Sequence, residues 1–70
     1  MNVDFAQRLK ELREDRNLSQ GELARALENK ITRPAIGRWE QRKRIPNLEN
    51  VIMLAKFFGV SLDYIAGLED

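Results

Sequence analysis

Six cations and one acid fall between Lys30 and Arg44: Lys30, Arg33, Arg38, Arg42, Lys43 and Arg44 against Glu40. That stretch carries +5 in a chain whose formal net charge is +1, so the remaining residues sum to −4. Such a cluster suits a polyanion. Lysine and arginine neutralise phosphates, and arginine's planar fork also matches guanine O6 and N7. A solvated helix followed by a charged loop fits the same pattern equally well. Other chemistries are excluded more firmly. The seventy residues contain no histidine and no cysteine, which removes disulfides, histidine-assisted nucleophilic catalysis and the usual tetrahedral zinc site. There is no Gly-rich phosphate loop and no metal-ligand spacing, and Glu40 has no second group with which to do acid–base work. The reading is of a non-enzyme with no metal, no cofactor and no evident small-molecule substrate.

The elements that must position these cations read as five short helices, an all-α fold forming one domain over residues 1–70. The first is predicted over about 4–16, with Phe5, Leu9 and Leu12 inward, Arg8, Glu11 and Glu14 outward, and Asn17 as a left-handed stop. In the second, over about 20–28, Ser19 and Glu22 make a capping box ahead of Leu23, Ala24 and Leu27. Thr32 caps the third, Pro34 sits in its first turn, where a missing N–H is harmless, and Ile36 and Trp39 face inward. Asn47 caps a fourth helix over about 48–58, with a buried stripe of Leu48, Val51, Ile52, Ala55 and Phe58 and Gly59 as its stop. Ser61 caps a last helix running to Ile65, and Gly67 closes it. The N-terminal stretch is charged from Asp4 onward and no apolar run approaches the roughly 20 residues of a membrane span. A soluble cytoplasmic protein, with no membrane partner, is expected.

Two short capped helices joined by a turn, at about 19–41, can hold each other crosswise so that the second projects into a major groove about 12 Å wide. Leu18-Ser19-Gln20, Glu22-Leu23-Ala24, Ile36, Arg38-Trp39-Glu40, Lys43-Arg44-Ile45-Pro46 and Phe58-Gly59-Val60-Ser61-Leu62-Asp63 together resemble the Cro/phage-repressor (Xre) family of helix-turn-helix transcriptional regulators. The likeness covers roughly residues 6–67. It implies a lambda-repressor-like DNA-binding domain, of bacterial or phage kind, that binds double-stranded operator DNA, usually as a dimer. Three departures stand out. The turn Glu28-Asn29-Lys30-Ile31 exceeds the usual Gly-containing one by about two residues. Gly37 takes a mid-helix position commonly polar in the family, at a cost of about 1 kcal/mol relative to alanine. Gln41-Arg42 replaces the usual Asn-Gly.

Roles follow from type and place. Arg33, just inside the third helix where the family reads bases, is the expected main base reader. Thr32, Pro34, Gly37 and Arg38 share that face: Thr32 is a cap first, Pro34 offers only apolar contact, Gly37 permits close approach, and Arg38 suits base or phosphate. Lys10, Gln41, Arg42, Lys43 and Arg44 are expected on phosphates, and the resemblance adds Gln20 at the start of the second helix. It also implies an ion pair between Glu40 and Arg13. Trp39 reads as a core lid rather than a base-stacking platform. Tyr64, Ile65 and Leu68 either finish the core or form a homodimer contact. The expected function is a sequence-specific regulator, a repressor on a palindromic operator. The second reading is a protein-interaction module such as an antitoxin or antirepressor-like partner.

Overall fold

A computed structural model describes residues 3–69, which form five helices and no strand. They are α1 (Phe5–Asp15), α2 (Gln20–Ala26), α3 (Arg33–Glu40), α4 (Leu48–Phe58) and α5 (Leu62–Ile65). Each starts on a side-chain cap. Asp4, Ser19, Thr32, Asn47 and Ser61 all hold extended backbone and accept the N–H three residues on, which satisfies donors that a helix start leaves unpaired. Ser19 and Glu22 complete the reciprocal box.

The helix ends repeat one solution. Asn17, Glu28, Arg42 and Gly67 each adopt a positive φ just beyond a helix, and the following N–H bonds back to the carbonyl five residues earlier, the Schellman arrangement. Asn29 is left-handed as well, so α2 stops at Ala26 rather than continuing to Glu28. Its long turn is pinned by Leu27 and Ile31, both buried. At Gly67 glycine is obligatory twice over, because φ is +82° and a Cβ would lie 2.2 Å from the Val3 carbonyl oxygen. The end of α5 is thereby laid against the segment that leads into α1.

Leu9, Leu23, Ala24, Ile36, Trp39, Leu54, Ala55, Phe58 and Ile65 make the core, joined by Leu27 and Ile31 from the turn. Ala24, in the middle of α2, is buried in that core. Trp39 packs edge-on to Phe5, ring centroids 6.2 Å apart.

Three expectations need correction. Arg8 does not point outward: it is 6% exposed, its guanidinium lies 3.9 Å from the Tyr64 ring centroid, and Nη2 donates to the Glu69 carbonyl. The arginine stem fills the α1–α5 seam while cation–π contact replaces part of its hydration. Leu48 is not in the α4 stripe but 68% exposed, whereas Leu54 is fully buried, because the core partners select the 51-54-55-58 face of a helix that is apolar nearly all round. Ile65 is fully buried in the chain's own core, so it cannot meet a partner, and Tyr64 is half-covered beneath Arg8.

Candidate nucleic-acid interface

α3 carries the site because its two faces are chemically opposite. Ile36 and Trp39 go into the core, while Arg33, Pro34 and Arg38 are exposed. Together with Gln20, Gly37, Gln41 and Lys43 these exposed residues line one shallow depression. Among the described residues, no carboxylate lies within ion-pair distance of Arg33, Arg38, Lys43 or Arg44. Four uncompensated cations on one surface attract an anion. The Arg33 stem passes over the first turn of α2, its Cδ 3.6 Å from where a Gly21 Cβ would stand. Thr32 is exposed, its hydroxyl occupied as the α3 cap.

Beneath this surface lies a polar network that sets α3 against α1 and α2. Arg13 meets Glu40 through two parallel bonds, Nε to Oε2 at 2.8 Å and Nη2 to Oε1 at 2.9 Å, and its Nη1 donates to the Leu18 carbonyl. Only 9% and 5% of the two side chains are exposed. The bond to Glu40 holds the Arg13 pKa above its ordinary value against the opposing effect of burial. Gln20 joins the network, its Nε2 donating to Glu40 Oε1 at 3.1 Å. Spacing along the chain gives no hint of that bond, which depends on how α2 crosses α3.

Other expected phosphate ligands sit elsewhere. Lys10 and Arg42 share a separate depression with Glu11 and Glu14, where acids oppose a phosphate. Arg42, at the left-handed end of α3, forks onto Asp4 at 2.7 and 3.0 Å, which ties the basic loop to the α1 cap. Arg44 adjoins Arg38 together with Asn47, read from the sequence only as a helix cap, and Asn50, which sequence reading did not single out. A third, mainly apolar depression of about 470 Å³ is floored by Phe5, Trp39, Pro46 and Val51 beside Ile45, which is 94% exposed.

The hydrogen bond from Arg42, then that from the Gln7 amide, holds the Asp4 carboxyl below its ordinary pKa. The Ser19 amide and then its hydroxyl do the same for Glu22. A carboxylate with a depressed folded pKa contributes stability that is present above its unfolded value and is lost as pH falls through the folded one. With no histidine in the chain, no side chain has an ordinary pKa between 5 and 8. Tm followed by circular dichroism should therefore be flat from about pH 5 to 8 and fall below about pH 4. Asp4→Asn should make the acid fall shallower.

The chain matches the helix-turn-helix family over residues 9–65. It belongs to that family. The matched residues include α2, α3 and the 27–32 turn that joins them, and the fold is the all-α one that the Xre-like resemblance implies. The chain is 37% identical over 68 residues to the HTH-type transcriptional activator BcrR of Enterococcus faecalis, covering 97% of this chain and 32% of that protein. It is 35% identical over 66 residues to the HTH-type transcriptional regulator YobD of Bacillus subtilis strain 168, covering 94% of this chain and 57% of that protein. The chain thus spans a third to somewhat over half the length of these relatives. Both of these relatives are named HTH-type transcriptional proteins. No helix of the described residues is long and apolar enough to cross a membrane.

Proposed function

We propose that this chain is a sequence-specific double-stranded DNA-binding regulator that lays α3 in the major groove. The observation that carries this reading is the gathering of Arg33, Arg38 and Lys43, none with an ion-pair partner among the described residues, around the exposed face of α3. Arg33, assisted by Arg38 and the apolar Pro34, reads bases, with Thr32 beside them. Lys43, Arg44, Gln41 and Gln20 sit on phosphates, giving affinity and register. Lys10 and Arg42 are peripheral: acids flank the first, and the second reaches DNA only by leaving Asp4.

One small domain touches few base pairs, so tight selectivity favours a homodimer on a palindromic operator. Leu62 and Leu68 near the C-terminal end, 41% and 76% exposed, are the apolar surface for that contact, in place of Ile65. Repression by occupying a promoter is the simplest output. The E. faecalis relative is named an activator, so operator position relative to the promoter decides the sign. A cytoplasmic location accompanies this reading.

Selection from random duplex DNA with the purified protein, at two salt concentrations, tests the proposal. Enrichment of an inverted repeat with half-sites about ten base pairs apart is expected. Binding without enrichment would remove sequence specificity. No binding at all would transfer the function to a protein partner seated on the apolar depression beside Ile45.

A further inference from the structure

We infer that Gly37 is a positioning residue: its missing side chain admits the Gln20 carboxamide across α3, where Glu40 fixes it in one orientation for DNA. This rests on the DNA-binding reading above and assigns Gly37 a role other than close approach to the duplex.

Glycine in the middle of an eight-residue helix is a poor helix former, and its φ is helical, so backbone conformation does not require it. Space does. A Cβ on Gly37 would stand 3.3 Å from Gln20 Oε1 and 3.9 Å from both Cδ and Nε2. The amide approaches with its oxygen foremost, closer than ordinary contact, and with its carbon and nitrogen within contact range. The amide extends over this gap to put Nε2 3.1 Å from Glu40 Oε1.

The orientation is dictated by chemistry. An ionised carboxylate only accepts hydrogen bonds, so the amide must turn its nitrogen toward Glu40 and its carbonyl away. Glu40 cannot follow if the amide is pushed aside, because Arg13 holds both of its oxygens and is itself anchored on the Leu18 carbonyl. Arg13, Glu40 and Gln20 therefore form a relay from the buried face of α1 to the depression flanked by Arg33 and Lys43. Gln20 arrives there with one Nε2 proton committed to Glu40 and the other available to a phosphate oxygen. A methyl at position 37 requires the amide to move by a few tenths of an ångström, which strains the relay at its last link, where the bond to Glu40 is already 3.1 Å.

The test combines a mutant cycle with an amide-exchange measurement on the intact chain. Gly37→Ala is expected to keep Tm or raise it by up to about 4–8 °C, from better helix propensity. It is also expected to weaken binding to a duplex bearing the selected repeat by about tenfold, the loss of one good polar contact. Gln20→Ala should lose the same factor, and the double variant no more than either single one. Without DNA, the Gln20 carboxamide protons should exchange with water more slowly than those of exposed Gln41, and the difference should vanish in Gly37→Ala. Gly37→Ala binding within twofold of the parent, or losses that multiply in the double variant, overturns the inference. So does wild-type Gln20 exchanging at the rate of Gln41. If no duplex is selected, the DNA-binding reading fails, while amide exchange still decides whether Gly37 seats Gln20.

Discussion

Glu40→Ala is expected to destabilise the fold by about 3–5 kcal/mol, the cost of stranding one partner of a buried ion pair. Arg13 would lose both carboxylate bonds while remaining 9% exposed. Each kcal/mol is worth roughly 4–8 °C of Tm in a domain this small, so the fall is tens of degrees and takes much of the marginal stability of a short chain. Thermal and urea unfolding followed by circular dichroism measure it. Arg13→Ala should be comparably costly, because Glu40 is then a buried, unpaired carboxylate.

The control that gives this prediction its meaning is the paired replacement Arg13→Met with Glu40→Leu. Swapping a whole buried pair for apolar groups of similar volume is often neutral, or stabilising by about 1–4 kcal/mol. The paired variant should therefore recover stability without recovering full DNA affinity, since Gln20 would have no carboxylate to orient it. If Glu40→Ala costs less than about 1 kcal/mol, the pair behaves as a solvated surface bridge. If the paired variant restores binding completely, the network is scaffold alone.

What could be read from the sequence divides along the range of the forces involved. Caps and stops were legible because they are local: Ser19 with Glu22, Thr32, Asn47, Ser61, Asn17 and Gly59 each act on backbone within three or four residues. The inward Ile36 and Trp39 were legible because α3 has polar residues to mark its other face. In α4 that contrast fails. Leu48, Val51, Ile52, Met53 and Leu54 offer several equivalent stripes, and only the shared core into which the helix packs selects Leu54 over Leu48. Arg8 misled because a cation was read as solvated, while Tyr64, 56 positions away, could not be seen beside it. Arg42, at the left-handed end of α3, was read as a phosphate ligand for the same reason, its Asp4 partner lying at the far end of the chain. The bond between Gln20 and Glu40 depends on how α2 crosses α3, and Gly37 was noticed for its propensity cost without the neighbour that explains it.

Arg33→Ala should cost about 1–3 kcal/mol of operator affinity and flatten base preference at one or two positions of each half-site. The expectation follows from its place. Arg33 is the first residue of α3, its stem passes over Gly21, and among the described residues no acid claims its guanidinium. The fork is planar and can make two parallel bonds to guanine O6 and N7. Arg33→Lys should retain most of the charge-dependent affinity but lose most of the discrimination, because an ammonium cannot make two parallel bonds. Lys43 is the contrast. It stands on the loop just past the end of α3, where the backbone of DNA rather than a base edge would lie. Lys43→Ala should weaken all duplexes by a similar factor and reduce the slope of log affinity against log salt by about 0.9. Titrating each variant against the selected repeat and single-base changes at three salt concentrations separates the two signatures. A uniform loss with a reduced slope for both would mean that Arg33 is another phosphate anchor. Specificity would then have to come from Arg38, the other arginine on the exposed face of α3, or from the deformability of the DNA itself.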